Sequence, residues 1–261
     1  MSKIKEAFQN GKAFIPFITC GDPDLNTTKV IIKNMVESGA DLIELGIPFS
    51  DPVAEGPVIQ NANCRALAGG IKTENIFEMV EELRKEISVP MVFMTYANVV
   101  FSYGIEKFAE KSYKIGMDGI ILPDVPFEEK EEFVSSFRKY GLDFISFVTP
   151  SSYDRIQMIA REATGFVYCV SSLGVTGMRT NISTKIDEMI QSVKEVNPDI
   201  PCAIGFGISN EEQAKKMSGY ADGIIVGSAI MDIIAKHGKS SAPYVIDFVK
   251  DMKSAITNRN L

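Results

Sequence analysis

The chain has 261 residues, 45% of them hydrophobic, and a formal net charge of −7. That is enough apolar material for one large domain, and an acidic balance with no basic run argues against nucleic acid or an anionic membrane surface as partner. No apolar stretch reaches the roughly 20 residues of a membrane span, and the opening MSKIKEAFQNGK has no apolar signal core, so a cytoplasmic protein is expected.

Residues 3 to 10 have the pattern of a short amphipathic helix closed by Gly11. Ala13 to Thr19 is the first strand, with Pro16 awkward for a central position. A helix follows from Asp24 to Ser38, then an apolar run from Leu42 to Leu45. Pro57 to Leu67 and Thr73 to Glu86 are helical, the second with Thr73 at its N-cap. The alternation goes on with strands at Met91 to Thr95, Gly119 to Leu122, Phe144 to Val148, Phe166 to Val170, Cys202 to Ile204 and Gly223 to Val226. Between and after them lie helices at Ile105 to Ile115, Phe127 to Tyr140, Ser152 to Ala163, Ser183 to Val196 and Glu211 to Met217. A short helix opens at Gly227-Ser228, and Pro243 to Thr257 closes the chain. Eight short, apolar strand-then-helix units predict a single-domain α/β fold over 1–261, a (β/α)8 barrel with an extra N-terminal helix; a doubly wound open sheet is the alternative.

The residues with chemistry in them cluster after strands. DLIELGIPFSDPVAEGPVIQ, Asp41 to Gln60, carries Glu44 inside an apolar run, then Asp51 and Glu55 on a Pro- and Gly-rich loop. A carboxylate inside an apolar strand is costly unless paired or neutralised, which is the condition proton-transfer groups are held in. A purely structural Glu44 and solvated Asp51 and Glu55 are the competing reading. The single histidine, His237, excludes a histidine triad or multi-histidine metal site, and no metal is expected. Cys20, Cys64, Cys169 and Cys202 are far apart and read as free thiols of a reducing compartment. GFGIS (Gly205 to Ser209) and IVGSAI (Ile225 to Ile230) are glycine-rich turns ahead of helix starts on the last two units. Barrels commonly bind phosphate there, on backbone N–H groups and the helix dipole. Ser171 to Asn181 is a long small-residue loop with the length of a mobile lid.

The run Glu44-Leu-Gly, Pro-Phe-Ser-Asp-Pro, Glu55-Gly-Pro resembles the signature of the tryptophan synthase α subunits, and the resemblance extends along the whole chain. It implies the (β/α)8 fold and a lyase that splits indole-3-glycerol phosphate into indole and glyceraldehyde 3-phosphate. It implies Glu44 as general acid and base, Glu55 as the acid that holds the indole N–H, and Tyr168 beside the reacting bond. Phe17, Met94, Tyr96, Asp124 and Phe206 match the indole pocket, while Gly177, Gly207, Gly227 and Ser228 match the phosphate site. Asp51 and Thr176 match loop closure, Thr176 lying in the Gly174 to Gly177 core of the lid. One departure stands out: the family's second acid is usually Asp, and here it is Glu55. The resemblance further implies an α2β2 complex with a β subunit that carries pyridoxal phosphate, no cofactor in this chain, and partner-facing segments at Asp51 to Glu55 and Asn98 to Tyr103. A different phosphate-binding barrel enzyme and a non-catalytic subunit that only activates β are the rival readings.

Overall fold

Eight apolar runs become strands in the computed structural model, which describes residues 2–149, 153–170, 180–205 and 207–257. The strands are β1 (Ala13–Thr19), β2 (Ile43–Gly46), β3 (Met91–Met94), β4 (Gly119–Ile121), β5 (Asp143–Phe144), β6 (Ser146–Val148), β7 (Val167–Val170), β8 (Cys202–Gly205) and β9 (Gly223–Val226). All neighbours are parallel, in the order β5-β4-β3-β2-β1-β9-β8-β7-β6. The two ends of that order are halves of one strand. Only Ile145 separates β5 from β6, and its N–H still donates to the Ile120 carbonyl at 2.9 Å. The sheet therefore closes on itself, which selects the eight-stranded barrel over the open doubly wound sheet.

The helices are α1 (Leu25–Glu37), α2 (Pro57–Ala68), α3 (Thr73–Leu83), α4 (Ala97–Tyr103), α5 (Ile105–Lys114), α6 (Glu131–Lys139), α7 (Tyr153–Glu162), α8 (Thr180–Val196), α9 (Glu211–Ser218), α10 (Ser228–His237) and α11 (Ala242–Thr257). Three expectations need correction. Thr73 is the first residue of α3, whose N-cap is Lys72; the Lys72 N–H donates to the Asn75 side chain at 3.2 Å. The stretch from Phe127 to Tyr140 is broken into a 3-10 turn, Phe127–Glu129, and α6. Residues Ala97–Tyr103, which the sequence pattern assigns to no helix or strand, form α4. Capping of α7 by Ser151 or Ser152 lies outside the described residues. Pro16 lies inside β1 and pairs with Val226 of β9, while the register of β1 with β2 begins one residue later, at Phe17.

The N-terminal helix is a 3-10 helix, Ile4–Phe8, and it plugs the base of the barrel. Glycines on the inner wall make room for it. A Cβ on Gly119 would lie 3.2 Å from Ile4, and one on Gly223 would lie 3.1 Å from Phe8. Three aspartates at strand starts repeat a second device. Asp41, Asp118 and Asp222 each donate a backbone N–H to the carbonyl of Phe14, Met91 and Cys202 respectively. Each carboxylate accepts the N–H of that same residue, at 2.7, 3.0 and 2.9 Å. A cation completes each set: Lys253 on α11, Arg84 beyond α3 and Lys194 on α8. These carboxylates satisfy the backbone donors where the ladders begin. Cys169 and Cys202 are buried core thiols as expected, with Cys20 buried and Cys64 exposed, and all four are free.

Candidate active site

At the opposite end, strand register decides what enters the lumen. Residues paired across parallel strands face the same way, so Phe17, Glu44 and Val92 form one inner layer. The next layer toward the mouth contains Gly46 and Met94, which pair with each other. Its glycines clear space for rings. A Cβ on Gly46 would sit 2.6 Å from the Phe17 ring, one on Gly227 3.2 Å from it, and one on Gly205 2.4 Å from the Tyr168 hydroxyl. Phe17, Met94 and Tyr168 are all buried, and the Tyr168 ring packs on Phe147 with centroids 4.8 Å apart.

Glu44 is 1% exposed, and its Oε2 has no hydrogen-bond partner among the described residues. Burial, reinforced by the nearby charge of Glu55, pushes its carboxyl up to about 8. The carboxyl is therefore mostly protonated at neutral pH, as a general acid must be. Glu55 reaches the same space from the loop ahead of α2. Burial raises it to about 7, while hydrogen bonds from Asn63 and Tyr96 hold it down. The Asn63 amide donates to Glu55 Oε2 at 2.9 Å. Tyr96 is buried, stacks on Phe49 with centroids 5.1 Å apart, and accepts the Ala54 N–H at 3.1 Å. Tyr168 is held far from ionisation by burial and by the fields of both glutamates. Glu44, Glu55 and Tyr168 thus share one electrostatic site, although their chain positions are far apart.

Other expected residues are placed differently. Asp124 is exposed, and both its carboxylate oxygens accept the Ala97 N–H, at 3.0 and 3.1 Å, so it caps α4. Gly207 has φ +78°, a turn that favours glycine, but α9 beyond it is already capped by Asn210, whose side chain accepts the Gln213 N–H at 3.0 Å. The expectation that both glycine turns open a free helix start is corrected to one. Among the described residues no side chain caps α10 at Gly227, so the amides that begin at Ser228 are the ones available to an anion. Asp51 is exposed and accepts the Ser50 hydroxyl at 2.5 Å. Phe206, Thr176, Gly177 and residues 171–179 of the lid lie outside the described residues; Thr180 and Asn181, expected in the lid, already belong to α8. Asn63 and Phe49 were not singled out from the sequence. Asn63 did leave a signal, a polar residue among the small alanines of the buried face of α2.

Residues 2–257 match the family profile described as tryptophan synthase alpha chain. The alpha chain of Lacticaseibacillus casei is 46% identical over 257 residues, covering 98% of this chain and 96% of the relative. The chain belongs to the tryptophan synthase alpha family. The Caldanaerobacter subterraneus alpha chain is 49% identical over 241 residues, covering 90% of this chain and 92% of its own. Among solved structures, the alpha subunit from Legionella pneumophila superposes with a TM-score of 0.90 at 34% identity, over 99% of this chain and 100% of that one. A chain of the tryptophan synthase complex from Pyrococcus furiosus superposes with a TM-score of 0.84 at 33% identity, over 94% of this chain and 98% of that one. Membership makes this chain a lyase and an alpha subunit of tryptophan synthase. No helix among the described residues is long and apolar enough to cross a membrane.

Proposed function

We propose that the chain, one barrel domain over 1–261, cleaves indole-3-glycerol phosphate to indole and glyceraldehyde 3-phosphate through Glu44 and Glu55. The observation that carries this is the buried, unpartnered Oε2 of Glu44 held beside a second acid. Protonated Glu44 gives its proton to indole C3. The carboxylate so formed takes the proton of the side-chain hydroxyl as the bond from C3 to the carbinol carbon breaks and the aldehyde forms. The proton count closes, and Glu44 returns to its starting state. Ionised Glu55 accepts the indole N–H and offsets the positive charge on the protonated ring. Tyr168 lines the reacting bond, and Phe17, Met94 and Tyr96 enclose the ring. The uncapped start of α10, with Gly227 and Ser228, takes the phosphate, aided by Gly207 and Gly177. The capping bonds of Asp124 favour a role in orienting α4 over direct contact with indole. Asp51 and Thr176 serve closure.

None of these steps needs a metal or organic cofactor. Pyridoxal phosphate belongs to the β partner, with which the chain forms an α2β2 complex in the cytoplasm. Val53 at 81% exposure and Phe101 at 44% present apolar surface on the two segments assigned to that contact, and they support the assignment. The test is indole release from indole-3-glycerol phosphate by the purified chain, with and without a tryptophan synthase β subunit. Turnover that rises with β is expected. No turnover in either condition, with β still activated on added indole, would leave an alpha subunit that regulates without catalysing.

A further inference from the structure

The substitution of Glu for the usual Asp demands a device that places a longer side chain. Glu55 lies on a loop and Asn63 on a helix. Helix α2 is fixed to the loop after β1 by a two-pronged ion pair, Arg65 Nε to Asp22 Oδ1 at 2.9 Å and Arg65 Nη2 to Asp22 Oδ2 at 2.7 Å, with Asp22 buried. Asn63, 4% exposed on the same helix, aims its amide at Glu55 Oε2. The Tyr96 hydroxyl takes the Ala54 N–H and directs its own proton at the Glu55 carboxylate. An N–H donor on α2 and an O–H donor at the start of α4 therefore converge on one loop acid.

We propose that Asn63 is a positioning residue for the cleavage reaction: with Tyr96 it clamps the Glu55 carboxylate in the orientation that meets the indole N–H. The inference rests on the role proposed for Glu55 above. Asn63 touches no reacting atom and acts only through that carboxylate.

The experiment compares wild type, Asn63→Ala and Asn63→Asp in the complex with β, and follows the Glu55 carboxyl by carbon NMR in the free chain. Losing one charge-assisted bond should lower kcat about tenfold at pH 7 with little change in KM, and raise the Glu55 titration midpoint by about one pH unit. Asn63→Asp keeps the shape of the side chain but replaces the donor by an acceptor, so its midpoint should rise at least as far. In a Glu55→Gln background, with the charge gone, Asn63→Ala should cost less than about twofold. An unchanged midpoint, or an equal loss of kcat with and without the Glu55 charge, would overturn the clamp. The NMR midpoint separates the two levels. If it moves while neither wild type nor variant releases indole, the clamp stands and the cleavage reading fails.

Discussion

Glu44 shows how one residue can be costly to the fold and suited to the chemistry. Its carboxyl is stable in the site only when protonated, since burial opposes the charge. The folded pKa of about 8 lies above the ordinary 4.5, so the folded state binds the extra proton. Its contribution is fully present below about pH 4.5 and is lost as pH rises through 8. Glu44→Gln removes that dependence. Its melting temperature relative to wild type should therefore climb between pH 5 and pH 9, by the equivalent of a few kcal/mol; a constant gap would mean that Glu44 ionises freely in the folded protein. The same substitution should cut indole release by about 10²-fold or more while β activation persists. The proposed mechanism requires Glu44 protonated and Glu55 ionised together. A bell-shaped profile of kcat/KM against pH is expected, with limbs near 7 and 8 that belong to the coupled pair. A flat profile from pH 6 to 9 would reject that division of labour.

At the scale of elements, glycines and caps decide how side chains are presented. Gly205 at the end of β8 leaves room for the Tyr168 hydroxyl, which a Cβ would approach to 2.4 Å. Because the ring is pinned against Phe147, Gly205→Ala must push Tyr168 or bend β8. A loss of about 1–3 kcal/mol in stability is expected, with a fall in kcat/KM, both measurable on one preparation by denaturant titration and indole release. Asp124 offers the contrast. As the cap of α4 its replacement by Ala should cost about 1 kcal/mol, and Asp124→Asn should recover most of it. A loss of substrate binding with unchanged stability would instead make Asp124 a ligand of the indole. The cap could not be read from the sequence, because Asp124 follows β4 while Ala97 opens the helix after β3.

Across the whole molecule, stability and catalysis occupy opposite ends of the barrel. The base is held by the N-terminal plug and by Asp41, Asp118 and Asp222 with their cations. Asp118 is the most connected, accepting the Lys3 N–H at 2.9 Å as well as Arg84 and Met91. Asp118→Ala removes the counter-charge of the largely buried Arg84 guanidinium, leaving it, among the described residues, only the Gly116 and Val89 carbonyls. It should cost about 3–5 kcal/mol in urea unfolding while kcat per folded molecule stays within about twofold. A comparable loss of kcat would show that the two ends are coupled.

The sequence by itself determined the alternation of strands and helices, because period and punctuation are local properties. It also marked Glu44, since a lone carboxylate in an apolar run is conspicuous without any fold. One regularity in it repeats: Asp-Gly-Ile-Ile occurs at Asp118 to Ile121 and again at Asp222 to Ile225, and in both places the aspartate immediately precedes a strand. Tertiary structure alone decided the closure at Ile145, the plug under Gly119 and Gly223, and the approach of Asn63 and Tyr96 to Glu55. Each of these depends on strand register and on which faces meet. Such contacts join residues whose separation along the chain carries no period, so they become definite only when the barrel closes.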